Sequence, residues 1–230
     1  MFTGLIETIG TVVSAERSGA GLRLRVDLGP AADGVRPGDS IALGGICQTV
    51  TAIVGGTAAF DAVAETLART TLGRWRPGTR VNVERSLRPG FAPAQRGSAL
   101  AEPGDRLGGH FVAGHVDSTG TVRENQERPD GWRLRVEVPA DLLAEIAPKG
   151  SVAVDGVSLT VVEVRPSEFS IALIPTTLRA TTLGDLAPGD LVNVETDLLA
   201  KYVRRALAAA DAAASDRRLL ETLGRAGFLD

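Results

Sequence analysis

Gly44-Gly45-Ile46-Cys47-Gln48-Thr49-Val50 in the first half of the chain and Asp155-Gly156-Val157-Ser158-Leu159-Thr160-Val161 in the second are two copies of one motif. Cys47 and Ser158 hold the same place in the two copies, so a duplicated unit carries two different polar groups at equivalent points. Outward from this pair, Gly10-Thr11-Val12 returns as Gly120-Thr121-Val122 and Arg23-Leu24-Arg25-Val26 returns as Arg133-Leu134-Arg135-Val136, both at an offset of 110. Thr66-Leu67 and Thr70-Thr71-Leu72-Gly73 match Thr177-Leu178 and Thr181-Thr182-Leu183-Gly184, and Val81-Asn82-Val83-Glu84 matches Val192-Asn193-Val194-Glu195, now at 111. Projected back to the start, the register sets Thr3-Gly4-Leu5 on Ala113-Gly114-His115. A period this long, repeated only twice, predicts tandem domains and not a solenoid.

Within each copy the pattern is that of β-structure. Leu22, Leu24 and Val26 alternate with Arg23 and Arg25, the period of a strand with one apolar face. Turn signals at Pro37-Gly38-Asp39, Gly55-Gly56, Pro77-Gly78, Pro148-Lys149-Gly150 and Pro188-Gly189-Asp190 cut the chain into short strands. Many short strands in about a hundred residues predict one small antiparallel barrel per copy. Ala64-Glu65-Thr66-Leu67 and Pro175-Thr176-Thr177-Leu178 break the alternation and read as short helical or loop segments able to line a barrel mouth. The stretch from Arg88 to Ser98, rich in Pro, Gly and small residues, reads as a linker. From Leu198 to Leu223 there is no Pro or Gly and alanine abounds, which predicts a helix. Leu199, Val203, Ala206, Ala210, Ala213, Arg217 and Leu220 fall on one stripe of it, suited either to packing on its own barrel or to joining chains. The expected domains are therefore residues 1–97, 98–197 and 198–230.

Composition narrows the function. With 43% hydrophobic and 23% charged residues over 230 positions, the chain has enough apolar side chains for a substantial core. Its 25 basic and 28 acidic residues are scattered, giving a charge of −3 and no stripe suited to nucleic acid. One cysteine excludes an intramolecular disulfide framework, and two histidines with one cysteine are too few for a zinc cage, so no metal is expected. The opening Met1-Phe2-Thr3-Gly4-Leu5-Ile6-Glu7 lacks the features of a secretory signal, and no segment reaches the roughly 20 apolar residues of a membrane span. A cytoplasmic location is expected.

Six motifs carry a resemblance: Met1-Phe2-Thr3-Gly4, Cys47-Gln48-Thr49-Val50, Glu65-Thr66-Leu67, Gly108-Gly109-His110-Phe111-Val112-Ala113-Gly114-His115-Val116, Asp155-Gly156-Val157-Ser158-Leu159-Thr160-Val161 and Leu198-Leu199-Ala200-Lys201-Tyr202. In this order, on a tandem repeat and across nearly the whole chain, they resemble the riboflavin synthase family. The resemblance implies a mainly β protein: two six-stranded antiparallel Greek-key barrels, each lumazine-binding, and a C-terminal α-helix that joins three chains into a homotrimer. It implies a transferase that uses no cofactor, in which two molecules of 6,7-dimethyl-8-ribityllumazine exchange a four-carbon unit to give riboflavin and 5-amino-6-ribitylaminopyrimidinedione. Expected partners are that substrate, the product riboflavin, further copies of the chain and lumazine synthase, with neither nucleic acid nor membrane among them. In the family the working site lies between the N-terminal barrel of one subunit and the C-terminal barrel of the next.

The reaction needs two substrate pockets, a proton acceptor for the C7 methyl group of one lumazine, and groups to hold a developing anion. A diverged pair of barrels supplies a donor and an acceptor pocket. By resemblance, Cys47, His115, Ser158 and Asp197 are the candidate catalytic residues. Cys47 reads as an activated thiolate or as a small buried apolar side chain. His115 replaces Leu5 of the first copy, bringing a group whose pKa range suits proton transfer, or else a structural histidine. Ser158 has no base next to it in sequence and is expected to hydrogen-bond the lumazine. Asp197 matches an acidic residue near the family's subunit junction, against the alternative of a solvated carboxylate. His110, five residues before His115, would point to the opposite face of a strand and is given a structural role.

Binding residues carry over by motif position. Gly4, Leu5 and Ile6, with Cys47, Gln48 and Thr49, and Asp61, Ala62, Val63, Ala64, Glu65 and Thr66, are expected to line the N-terminal pocket. Gly114, His115 and Val116, with Lys149, Ser158, Leu159 and Thr160, and Ala172, Leu173, Ile174, Pro175, Thr176 and Thr177, are expected to line the C-terminal one. Three positions depart from the family pattern: Gly44, Gln48 and Ala113, where Asn, Leu and Ser are usual. They leave open a second class of function, a non-catalytic lumazine- or flavin-binding protein or a paralogue acting on a modified lumazine.

Overall fold

The alternation at Leu22, Leu24 and Val26 becomes β2 (Gly21–Asp27), with those three side chains buried and Arg23 and Arg25 exposed. The computed structural model describes residues 1–87, 108–129 and 131–210, so the linker expected from Arg88 to Ser98, and Ala213, Arg217 and Leu220 of the C-terminal stripe, lie outside the described residues. β1 (Thr8–Ser18), β2, β3 (Ser40–Leu43), β4 (Ile46–Val54), β5 (Thr57–Ala62) and β6 (Arg80–Arg85) close into an antiparallel barrel in the order β1-β2-β5-β4-β3-β6. β7 (Ser118–Arg128), β8 (Gly131–Glu137), β9 (Ser151–Val154), β10 (Val157–Val164), β11 (Glu168–Leu173) and β12 (Leu191–Thr196) close a second barrel with the same circular order, β7-β8-β11-β10-β9-β12. Closure leaves no free sheet edge.

The two copies repeat each other's irregularities. The pairing of β1 with β2 slips between Val12 and Ser14, and that of β7 with β8 slips between Val122 and Glu124. β4 slips against β5 between Val50 and Ala52, as β10 does against β11 between Val161 and Glu163. Such bulges bend strands tightly enough to close a small barrel. Each barrel has its own apolar core, Leu24, Val26, Ile41, Leu43 and Phe60 in the first and Leu134, Val136, Val152, Phe169 and Ile171 in the second, all fully buried. Each such side chain contributes roughly 1.5–3 kcal/mol.

The duplicated motif forms hairpins. Gly44-Gly45 joins β3 to β4 with φ of 52° and 79°, and Asp155-Gly156 joins β9 to β10 with φ of 45° and 79°. Two consecutive left-handed residues make the type I′ turn that suits twisted strands. The hairpin tips touch: a Cβ on Gly45 would stand 2.6 Å from the Gly156 nitrogen, so glycine is required there. Two buried asparagines pin this contact. Asn82 Nδ2 donates to the Asp155 carbonyl (2.9 Å) while its Oδ1 accepts from the Thr182 N–H (2.8 Å). Asn193 does the same in reverse, toward the Gly44 carbonyl and the Thr71 N–H, both at 2.8 Å.

Short helices α1 (Ala64–Arg69) and α3 (Pro175–Ala180) follow β5 and β11 where the alternation breaks, and α2 (Ala140–Leu143) follows β8. Residues 198–210 are helical and belong to a separate unit, on which Leu199, Tyr202, Val203 and Leu207 are exposed. No helix among the described residues is long and apolar enough to cross a membrane.

Candidate functional site

The segment before β1 does not stay with its own barrel. Phe2 and Val112, equivalent in the repeat, pair antiparallel through N–H···O=C bonds of 2.7 and 3.0 Å. Phe2 is fully buried in a cluster with Ala42, Val112 and Ala153, against which Cys47 packs. Past this crossing the two segments exchange barrels. The Gly4 carbonyl accepts from the Ser158 N–H (2.9 Å), and the Gly114 carbonyl accepts from the Cys47 N–H (2.8 Å). Ile6 packs on the core of the second barrel and Val116 on that of the first. Both contacts demand glycine: an added Cβ would stand 2.6 Å from Ser158 Cβ at Gly4 and 2.7 Å from Cys47 Cβ at Gly114, at φ of +75° and +78°.

A buried carboxylate holds each segment. Glu84 of β6 accepts from the Thr3 N–H (2.6 Å), the Thr3 hydroxyl (2.7 Å) and the Gly4 N–H (3.0 Å). Glu195 of β12 accepts from the Ala113 N–H (2.7 Å) and the Gly114 N–H (3.0 Å). Burial pushes the Glu84 carboxyl above its usual range, although the Thr3 and Gly4 donors pull the other way. Ala113, one of the departures from the family pattern, simply lacks the hydroxyl that Thr3 supplies.

The structure therefore regroups the expected residues. Gly4–Ile6 lie with Ser158, not with Cys47, and Gly114–Val116 lie with Cys47, not with Ser158. The reason is topological: each segment passes the pseudo-twofold crossing at Phe2 and Val112 before it reaches a barrel. At the first mouth Cys47 is half-buried, Gln48 is buried with its amide donating to the Cys47 carbonyl (2.8 Å), and Thr49 is exposed. Asp61 and Ala62 end β5, Val63 is exposed, and Ala64, Glu65 and Thr66 open α1. The Asp61 and Glu65 charges pair on the surface with Arg23 (3.1 Å) and Arg69 (2.5 Å). At the second mouth Ser158 is half-buried, Leu159 buried and Thr160 exposed on β10. Ala172 and Leu173 end β11, Ile174 is exposed, and Pro175, Thr176 and Thr177 open α3.

Among the described residues two that are not glycine have positive φ, and both sit in the second copy where the first has glycine. Lys149 (φ 66°) replaces Gly38, and Asp155 (φ 45°) replaces Gly44. Left-handed backbone costs a lysine about 1–2 kcal/mol, strain of the kind that collects at functional positions. Asp155 accepts from the Asn193 N–H through Oδ1 (2.7 Å), and burial pushes its carboxyl up to about 7.

Burial also pushes the Cys47 thiol up, outweighing the opposing influence of Ser40, so Cys47 is a thiol near neutral pH and not an activated thiolate. His115 is exposed and Asp197 half-buried at the end of β12. His110 departs most from its expectation. The stretch from Gly108 to Asp117 is not a strand, apart from the single bridge at Val112, so the argument from strand parity does not apply to it. His110 is buried, its N–H donates to the Thr3 carbonyl (3.2 Å), and its Nδ1 lies 2.7 Å from Ser158 Oγ. Its closeness to Ser158 is tertiary, and only the Gly-Gly before it signals irregular backbone.

A cavity of 580 Å³ between the barrels is lined by Trp75, Asn82, Asp155, Arg80 and Asp185 but by none of the residues expected to bind ligand. Its polar groups satisfy one another, as in the Arg80–Asp185 pair (2.5 Å) and the Asn82 bonds, so it is not the candidate site. Among the described residues no group of three or more His, Cys, Asp or Glu could hold a metal.

A model of the lumazine binding domain matches residues 3–86 and 113–197. The chain is 40% identical to a riboflavin synthase of Mycobacterium tuberculosis over 214 residues, covering 91% of this chain and all of that protein. It is 36% identical to a riboflavin synthase of Bacillus subtilis over 207 residues, 90% of each. Among solved structures, LumP complexed with riboflavin superposes with a TM-score of 0.72 at 26% identity, covering 85% of this chain and 99% of that one. With two matched domains folded as paired barrels and close relatives along nearly its full length, the chain belongs to the riboflavin synthase family.

Proposed function

We propose that this chain carries out the reaction of its family, the exchange of a four-carbon unit between two molecules of 6,7-dimethyl-8-ribityllumazine to give riboflavin and 5-amino-6-ribitylaminopyrimidinedione. The observation that carries the reading is the reciprocal seating of Gly4 on Ser158 and of Gly114 on Cys47. It builds two mouths on one plan with different polar groups, as a reaction between two copies of one substrate in different roles requires. In this reading Cys47–Thr49, Asp61–Thr66 and Gly114–Val116 hold one lumazine, and Gly4–Ile6, Lys149, Ser158–Thr160 and Ala172–Thr177 hold the other. Backbone amides and hydroxyls at these positions suit a neutral, polyhydroxylated ligand.

Roles follow from chemistry. Cys47, as a thiol, serves as a weak donor and packing group beside the heterocycle and forms no covalent bond. Ser158 hydrogen-bonds the second heterocycle. His115, exposed beside the first mouth, is the candidate carrier of the methyl proton where that mouth faces a neighbouring subunit's second mouth, and Asp197 orients polar groups near the second mouth. The exposed apolar residues of the 198–210 helix support assembly into a trimer, in which mouths of neighbouring subunits face one another. A cytoplasmic location and contact with lumazine synthase belong to the same reading.

Incubating the purified chain with 6,7-dimethyl-8-ribityllumazine and following riboflavin absorbance tests it. Turnover supports the synthase. Tight binding without product would instead establish the non-catalytic reading, which the likeness to LumP complexed with riboflavin favours as the alternative.

A further inference from the structure

His110 has two ring nitrogens in different situations. Nδ1 lies 2.7 Å from Ser158 Oγ, while Nε2 is buried and meets no hydrogen-bonding group among the described residues. The residue is only 9% exposed. The first barrel has no counterpart among the described residues: the group behind the Cys47 thiol is Ser40, whose pull on the thiol is outweighed by burial. The two mouths thus differ in what stands behind the polar group as well as in the group itself.

Charge and tautomer follow from these surroundings. An imidazolium carries two N–H donors, and here one would be buried without an acceptor, a costly arrangement. Burial lowers the His110 pKa, outweighing the opposing influence of Asp197, which agrees with a neutral ring. A neutral ring carries one proton. On Nε2 it would be an orphaned buried N–H, the rarest kind of unsatisfied group, whereas on Nδ1 it has Ser158 Oγ as acceptor. A serine hydroxyl has two lone pairs and one proton. Once it accepts from His110, its own proton is free to point elsewhere.

We propose that His110 is a positioning residue for the second mouth: its Nδ1–H donates to Ser158 Oγ and thereby turns the Ser158 hydroxyl into a donor aimed at an acceptor atom of the bound heterocycle. Loss of a proton from the lumazine methyl group spreads negative charge onto the ring heteroatoms, and a donor fixed there stabilises it. Cys47, with a weak S–H donor and no imidazole behind it, provides little such stabilisation. The mouth holding His110 and Ser158 therefore takes the lumazine that becomes the carbanion. This rests on the reading that Ser158 faces ligand.

The test has two arms. Nitrogen-15 NMR of histidine rings in the wild-type chain, with only two histidines to assign, should show His110 neutral with Nδ1 protonated; protonation on Nε2 would overturn the proposal without any variant. In the second arm riboflavin is the non-reacting probe, its binding followed by fluorescence quenching. His110→Ala should weaken the Ser158-dependent site about tenfold. His110→Asn, whose amide nitrogen stands near the place of Nδ1, should restore affinity to within about threefold of wild type. Ser158→Ala should weaken the same site, and adding His110→Ala to it should cost little more. Asparagine no better than alanine, or an undiminished His110→Ala effect in the Ser158→Ala background, would overturn the positioning role. If Ser158→Ala leaves riboflavin affinity unchanged while the NMR result holds, the ligand-facing reading of Ser158 fails and the His110 tautomer stands alone as a structural bond.

Discussion

Replacing Gly4 by alanine probes the exchange of segments on which both mouths depend. The new Cβ would stand 2.6 Å from both the Cβ and the backbone nitrogen of Ser158, where ordinary contact begins at 3.4 Å. Either the Thr3–Gly4 segment or the start of β10 must then move by about 0.8 Å, and no rotamer change relieves a clash with backbone. The φ of +75° adds strain of about 1–2 kcal/mol for alanine. Disruption of the 2.9 Å bond from the Ser158 N–H to the Gly4 carbonyl costs about 1 kcal/mol more. The sum, roughly 2–3 kcal/mol, corresponds to about a 30- to 150-fold change in a local opening equilibrium. Amide hydrogen exchange reads this directly. In Gly4→Ala the Ser158 amide should exchange faster by that order while the Cys47 amide keeps its protection, and Gly114→Ala should do the reverse. Equal acceleration at both amides, or none at Ser158, would refute the exchanged seating.

Glu84→Gln and Glu195→Gln each turn an amide NH₂ toward a backbone N–H that now meets a carboxylate oxygen; each should lower the urea midpoint by the equivalent of about 1.5–3 kcal/mol, and an unchanged midpoint would count against the clamp. Asp155, with its folded pKa raised to about 7, favours the protonated form in the fold, so its contribution to stability is fully present below the unfolded value and is lost as pH rises toward 7. Asp155→Asn, which keeps an acceptor for the Asn193 N–H and suits left-handed backbone, should be about 1–3 kcal/mol more stable than wild type above pH 7, with the difference vanishing in acid; thermal melts across pH decide it. The Cys47 thiol, raised above its ordinary pKa of 9.0 by burial, should react with iodoacetamide far more slowly near neutral pH than an exposed cysteine, and rapid alkylation there would contradict its assignment as a thiol. Truncation after Asp197 should give a monomer by analytical ultracentrifugation with nearly all turnover lost; an active monomer would refute a role for the helix in assembly and catalysis.

The barrels were legible because they rest on local pattern. Alternation at Leu22–Val26 and Leu134–Val136, turn signals, and the offset of 110 to 111 each follow from a few neighbouring residues, and burial follows the same alternation. The breaks at Ala64 and Pro175 likewise became α1 and α3. What could not be read was decided by contacts between residues far apart in sequence. Gly4 meets Ser158, and Gly114 meets Cys47 from the opposite direction, yet nothing in either segment's composition says which barrel it will reach. The roles of Asn82 and Asn193 were hidden for the same reason, since each satisfies backbone groups of the other copy. The place of His110 could not be read from parity, which holds only for extended strands. With Gly109 at φ +77° and Gly114 at +78° the segment turns twice in six residues, and the ring swings onto Ser158.

Two unlike mouths on one plan, acting on two identical substrates, fix the stoichiometry of the reaction. The decisive measurement is a stoichiometric conversion: the purified chain is mixed with 6,7-dimethyl-8-ribityllumazine alone, and substrate and both products are quantified by chromatography through several turnovers. Every two lumazines consumed should yield one riboflavin and one 5-amino-6-ribitylaminopyrimidinedione, with no added cofactor. Lumazine bound tightly and recovered unchanged would contradict the synthase reading.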